Sequence, residues 1–505
     1  MVNIKKIKIT QWVITIVLFV SIIIVRIRQE SQSCMGVALI PENKLADYTK
    51  TLEVELDEIV FNGKKAAVDI ERNTVYISQS MNRLWHNSAL QGSIEIKDTN
   101  YKLYFIDNMA MKDIESSVRN GIPLSLAIVS KDSMCMVDVV ITTLPVMSIN
   151  GEYLETDVEG RDNFAGDMTV WAGCDPLTEE YSIKSSEVRW RKRGNFTARK
   201  EKNSLKLSLV DQKGNNNVNL LGLGSDDDWI LNSMVMDDTK MKEKLFMDTW
   251  NEMAETSDYN YKMSKGEYVE AVVNGRYMGL YLLQRRVDAK YLELSKDDVL
   301  LKVTRDGAKN IKEAYEIVNQ VEDPNQIYSF MQKIFDKTDC SDINIDNFID
   351  VNIMLTLTNG IDNESMKNMF FLLKKVSKGY EVFLIPWDTD MTMGTIWSEE
   401  ENDYIYDYQQ AMENISQRYE TESISNSAFD YNGKMRSRWK DLKQTLFSDN
   451  KLMEKVDILE KKLSESCSLQ REKECWEENY AGEDNVENLK RFLLEKSKKM
   501  DLYYQ

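Results

Sequence analysis

The rhythm of the apolar residues changes at Leu144-Pro145-Val146, and that change restricts the chain to folds built from at least two unlike units. Upstream, from about Leu52, the apolar residues come in short runs: Leu52–Leu56, Ala67–Ile70, Thr74–Ile77, Tyr101–Ile106, Leu124–Val129 and Met136–Ile141. Turn chemistry at Asn62-Gly63 and Arg72-Asn73 separates the earlier ones. Side chains alternate across a strand, so runs of this length and spacing predict a small all-β, sandwich-like domain over 45–142. Downstream, strand-like Leu205–Leu209, Tyr268–Val273 and Gly279–Leu283 alternate with helical stretches Thr239–Met253, Ile345–Thr358, Leu452–Leu463 and Val486–Lys499. This pattern predicts an α+β domain over 143–505. Asn274-Gly275 is a strong hairpin signal, and Lys378-Gly379 between Phe370–Lys374 and Glu381–Ile385 a weaker one. The polar stretch Ser398–Ser427 has the composition of a mobile loop.

Ahead of both units, Lys5, Lys6 and Lys8 precede an apolar run from Ile9 to Val25. Its length is near the lower limit for crossing a bilayer, and the lysines favour a cytoplasmic N-terminus. No small-residue cleavage site follows, and Ser31-Gln32-Ser33 before Cys34 lacks a lipidation pattern. Residues 1–28 are therefore expected to be a transmembrane signal-anchor, with a single pass through the cell membrane and the bulk of the chain extracytoplasmic.

Charge and residue counts then exclude whole chemistries. The 64 Lys and Arg against 83 Asp and Glu leave a net charge of −19, which repels a phosphate backbone and argues against a nucleic-acid partner. A single histidine, His86, rules out Ser-His-Asp and Cys-His machinery and multi-histidine metal sites. None of the six cysteines forms a C-x-x-C pair, and only Cys467 and Cys475 are close enough in sequence to suggest a disulfide, no better than two free thiols. Any catalysis must run on carboxylates, lysines and arginines.

Two segments hold such groups in suggestive order. Asp388-Thr389-Asp390 follows the apolar run Phe383–Trp387, so in extended chain both carboxylates face the same way. Paired hard oxygens suit magnesium or manganese carrying nucleotide phosphates, and the apolar approach suggests a central strand. Upstream lie Asp362 and Asn368, giving the order acid, amide, hairpin, acid that protein kinases use for a proton acceptor and their metal ligands. No H-R-D, D-F-G or G-x-G-x-x-G accompanies it, and a D-x-D of this kind also serves metal-dependent glycosyltransferases. The second segment, Val188 to Leu207, concentrates cations in an acidic chain and reads mostly as a solvated loop. Within it the Arg193-Gly194-Asn195 turn feeding Leu205-Lys206-Leu207 lets backbone and lysine approach a polyphosphate.

Arg191 to Asn195 with Lys206, then Trp229-Ile230-Leu231-Asn232-Ser233, then Asn274 to Leu283 with Gly279 and Tyr281, then Asp362 to Asn368, then Pro386 to Asp390, resemble the motifs of the CotH (spore coat protein H) kinase family in that family's order. The resemblance covers roughly Leu144 to the C-terminus. It implies an atypical protein-kinase-like fold and an exported enzyme transferring phosphate from ATP to Ser or Thr hydroxyls of a protein substrate, with Mg2+ or Mn2+. By the same resemblance Asp362 matches the catalytic base, Asn368 and Asp388 the metal ligands, and Asp390 a second ligand or orienter. Arg193 and Lys206 match the phosphate-side cations. Two departures stand out: Asp237 to Lys242 lacks the family's usual Arg, and Arg285 replaces a usual Glu, a charge reversal expected to disturb nucleotide binding if that Glu orients a cation. A non-catalytic surface or spore-coat protein on the same scaffold is the alternative.

Overall fold

The computed structural model describes residues 33–80, 90–157, 160–174, 181–194, 200–304, 308–336, 342–364, 368–394, 431–477 and 485–504. The apolar run Ile9–Val25, His86, Asn195 and the segment Ser398–Ser427 lie outside these residues. Among the described residues no helix is long and apolar enough to cross a membrane.

The first unit is built on an eight-stranded mixed sheet faced by a three-stranded one. Val75, Val139 and Leu126 from the large sheet share a core with Ile59, Phe61 and Ile94 from the small one, which gives the unit its sandwich-like character. It is not purely β, because Met109–Lys112 and Ile114–Arg119 form short helices capped by the Asn108 and Asp113 side chains. The run Leu52–Leu56 is not a strand: pairing covers only Lys50–Thr51, and Leu56 already starts a 3-10 turn. Ser33–Cys34 and Val37–Pro41, which precede residue 45, belong to the same large sheet.

The next strands form a barrel. Asp162–Cys174 runs antiparallel to both Val146–Thr156 and Tyr181–Arg193, and Val146–Thr156 pairs in parallel with Gly266–Val273. Gly266–Val273 pairs with Arg276–Arg285, then come Asp228–Asn232 and Ser204–Asp211, and Ser204–Asp211 returns to Tyr181–Arg193. The ring is closed, with only Gly214–Asn215 outside it. Its interior is filled by one face of each strand, including Val188, Trp190, Leu207, Trp229, Val269 and Tyr281. Asn274 and Gly275 both take positive φ, 49° and 72°, as a two-residue hairpin turn requires.

Packed against the barrel's outer face is the helix Lys242–Glu255, which shares the largest core with Ile345–Thr358, a four-stranded antiparallel sheet and the C-terminal helices. The last strand of that sheet, Tyr380–Pro386, lies at its edge rather than in its centre. Its outer edge is met partly by backbone, with Asn344 N donating to Val382 O and Val382 N to Asp342 O, each at 2.8 Å, and partly by a side chain, since Asn347 accepts from Leu384 N at 2.7 Å and donates to Leu384 O at 3.0 Å.

The sandwich-like unit is tightly docked on the barrel. Tyr76 stacks on Tyr277 with ring centroids 4.2 Å apart, Tyr277 N donates to Asp69 Oδ2 at 3.1 Å, and Ile70 N donates to Gly275 O at 2.8 Å. The C-terminal helix Ser468–Cys475 braces both parts: Arg471 makes a bidentate pair with buried Glu270, and Cys475 Sγ accepts from Arg72. Cys467 and Cys475 are both free thiols, so this close pair is not disulfide-bonded.

Candidate functional site

Between barrel and helical part lies a cavity of about 590 Å3 whose lining includes Arg193, Lys206, Asp362, Asn368, Asp388 and Asp390. All six residues singled out in the sequence meet there.

The cationic wall comes from the barrel's outer face. Along Tyr181–Arg193, Val188 and Trp190 point inward, which turns Arg191 and Arg193 outward by strand alternation. This half of the cationic segment is thus strand rather than loop, because its apolar residues fill the barrel. On the adjoining strand Leu205, Leu207 and Leu209 point inward and Lys206 outward, directly opposite Arg191. Like charges opposite one another on neighbouring strands repel, so the arrangement favours an anion between them. Asp228 partly compensates, 3.4 Å from Lys206 and 3.1 Å from Arg286. Burial alone would raise the Asp228 carboxyl, but Ser208, Lys206 and Arg286 more than offset it and hold it below the usual range.

Arg193 is oriented before any ligand arrives. Its guanidinium lies over Trp387 at 5.2 Å from the ring centroid, and Trp387 in turn meets Phe370 edge-on. Burial lowers its pKa even though Asp388 and Glu243 favour the charged form. Lys302, on Val299–Val303, reaches the same cavity, and burial followed by the neighbouring Arg193 charge lowers its pKa as well. Neither Lys302 nor Arg286 carries a sequence signal beyond its position in a strand or just after one.

The acidic wall faces these cations. Asp362 sits on the short helix Ile361–Glu364, and its Oδ2 accepts from Asn368 Nδ2 at 2.6 Å. Asn368 has φ 56°, a left-handed turn into the strand Met369–Lys375. Asn363 fastens that turn to the D-x-D by donating to Asn368 O at 3.0 Å and Trp387 O at 2.9 Å. The D-x-D itself is not extended: the strand stops at Pro386 and Asp388 adopts φ 56°. Both carboxylates still line the cavity, brought there by the turn rather than by strand alternation. Burial, then the Asp388, Glu243 and Asp362 charges, push the Asp390 pKa well up. A carboxylate disfavoured in this way gains from a cation.

Arg285 does not reverse the charge of the site. Its side chain leaves the cavity for Asp226, at 2.5 Å and 3.0 Å, and covers the Tyr291 ring. The preceding Gln284 points the other way, toward Glu243. Lys242, which ends the stretch without the usual Arg, is fully buried.

Among the described residues no three carboxylate, cysteine or histidine side chains lie close enough to hold an ion by themselves. Magnesium is commonly held by one or two carboxylates, with phosphate oxygens and water completing its shell, and the donor set here fits that habit. The D-x-D follows an antiparallel hairpin, Met369–Lys375 with Tyr380–Pro386, and not the strand-helix alternation of a nucleotide-sugar enzyme. A family model described as CotH kinase protein matches residues 190–500, more than half of the chain, and takes in every one of these site residues. No curated protein matches the chain.

Proposed function

Because the chain belongs to the CotH kinase family, we propose that it is an atypical protein kinase using ATP with Mg2+ or Mn2+ to phosphorylate Ser or Thr hydroxyls of a polypeptide. The observation that carries this reading is the meeting of Asp362, Asn368, Asp388 and Asp390 with Arg193 and Lys206 across one cavity. Asn368 and Asp388 would hold the metal ion, with Asp390 as second ligand or orienter. Bound there, the ion supplies charge neutralisation for the phosphoryl group in transfer. The chain's own residues supply the rest. Arg193, placed over the Trp387 ring, and Lys206 on the adjoining strand bind phosphate oxygens as a fork and a point charge. Asp362, turned by the Asn368 amide, takes the proton of the acceptor hydroxyl. We further propose that the enzyme is anchored through residues 1–28 with its cavity outside the cell, which protease added to intact cells would test by digesting the chain without lysis.

Nucleotide affinity and turnover, measured against metal concentration for two variants, test the roles. Asp388→Asn is expected to lose metal affinity and recover activity partly at high metal. Asp362→Asn is expected to bind metal and nucleotide normally yet turn over slowly at every metal concentration. Metal rescue of Asp362→Asn but not of Asp388→Asn would reverse the two assignments. Full turnover in both variants would remove this cavity as the active site, and absence of nucleotide binding by the natural chain would favour the non-catalytic surface role.

A further inference from the structure

We infer that Glu243 is a positioning residue for the D-x-D: it holds the turn that presents Asp388 and Asp390 without itself ligating the metal. The inference rests on the kinase reading of the cavity. Glu243 stands in the first turn of Lys242–Glu255, where a carboxylate complements the helix dipole, and it is buried. Its Oε2 accepts from Thr389 N at 2.7 Å and from Thr389 Oγ1 at 3.0 Å, and its Oε1 accepts from Gln284 Nε2 at 3.3 Å. Both oxygens are thus engaged by neutral donors. Thr389 is fully buried, so its N–H would otherwise be unsatisfied. It is also the residue between the two acids, and the one before it is held at φ 56°.

The helix that carries Glu243 is fixed independently. Asp237 accepts from Lys242 N at 2.7 Å and from Thr239 N at 2.9 Å, which ties the helix start to the chain leaving Asp228–Asn232. The D-x-D is therefore held from two sides, by Asn363 from the helical part and by Glu243 from the helix on the barrel. A carboxylate beside Asp388 is electrostatically costly in the absence of a cation. Its retention at that spot is explained by the backbone it holds.

The test uses the full chain, with Mn2+ as probe, read by electron paramagnetic resonance alone and with a non-hydrolysable ATP analogue. Metal dependence of turnover is measured alongside. In Glu243→Ala, the apparent Mn2+ affinity is expected to fall about 10- to 100-fold, with turnover at saturating metal largely kept. Glu243→Gln is expected to restore affinity, since its carbonyl oxygen still accepts from Thr389 N. Thr389→Val, which keeps the backbone bond and loses the hydroxyl, is expected to show a smaller loss in the same direction. Natural Mn2+ affinity in a folded Glu243→Ala overturns the inference. So does a Glu243→Gln as impaired as Asp388→Asn, because the charge would then be acting as a ligand. If Glu243→Ala does not fold, an unchanged affinity in Thr389→Val overturns it equally. Unchanged affinity in Asp388→Asn is a different failure, that of the kinase reading itself.

Discussion

Replacing Lys206 by Met separates binding from folding, because the two effects have different sizes here. The Lys206 Nζ lies 3.4 Å from Asp228, and both side chains keep partial contact with water, at 31% and 21% exposure. Such a pair contributes up to about 1 kcal/mol. After the replacement Asp228 still accepts from Ser208 Oγ at 2.7 Å and pairs with Arg286 at 3.1 Å, so no charge is stranded. Against the lost pair stands relief of the repulsion from Arg191 directly opposite, about 0.2–1 kcal/mol. The two nearly cancel, and stability is expected to change by less than about 1 kcal/mol. A charged contact to phosphate is worth about 1.5–3 kcal/mol, which converts to a roughly 10- to 150-fold loss of affinity. Calorimetric titration with magnesium and a non-hydrolysable ATP analogue reads the second quantity, and urea unfolding of the same preparation the first. Raising the ionic strength should weaken the natural chain more than the variant. Nucleotide affinity within about twofold of the natural chain would show that Lys206 touches no phosphate. A fall in the unfolding midpoint that tracks the affinity would show that it serves the fold.

Other consequences concern the fully buried Lys202, which donates to Glu472 Oε1 and to Leu280 O, each at 2.5 Å. Lys202→Met leaves Glu472 with the more distant Lys240 at 3.8 Å and is expected to cost about 3–5 kcal/mol, and Lys202→Met with Glu472→Leu should recover little of it, because the buried Leu280 N, which donates to Glu472 Oε2 at 2.8 Å, and Lys240 both lose that carboxylate; urea unfolding of both variants checks it. Burial lowers the Lys202 ammonium to about 8 from 10.5 despite the Glu472 charge. Between those pH values the unfolded chain holds a proton the folded chain has released, so stability should rise with pH across that window, and the rise should vanish in Lys202→Met. Gly279→Ala is expected to cost about 2–5 kcal/mol, because a methyl there meets Glu472 Oε2 at 2.1 Å and φ is +85°; a lowered urea midpoint with unchanged slope would confirm it.

The helix Ile345–Thr358 and the Asn274-Gly275 and Lys378-Gly379 hairpins were legible because each rests on local chemistry: a run of apolar residues after an Asn cap, or residues that tolerate positive φ. The acids and cations of the cavity were legible as types in a family's order. Closure of the barrel was not, since it depends on pairings such as Val146 with Glu270 that no local pattern encodes. Its strands Asp162–Cys174 and Tyr181–Arg193 also bury few side chains, among them Met168, Val170, Trp171, Val188 and Trp190, set between polar residues and Gly. The D-x-D was misread as extended because a left-handed Asp is indistinguishable in sequence from any other. Glu243 left no trace at all: an acid in the first turn of a helix is ordinary, and its partner Thr389 is 146 residues away.

Closure of the barrel gives the site a ruler that cannot slide. Lys206 and Arg191 are held in register by a ring in which each strand is hydrogen-bonded on both sides, so a one-residue slip would have to be matched all the way around. It would also turn both cations into a core filled by Trp190 and Trp229. Insertions and deletions are therefore tolerable in the connections and not in the staves. Across relatives, the spacing between the two cations should vary far less than the lengths of the connections between the strands.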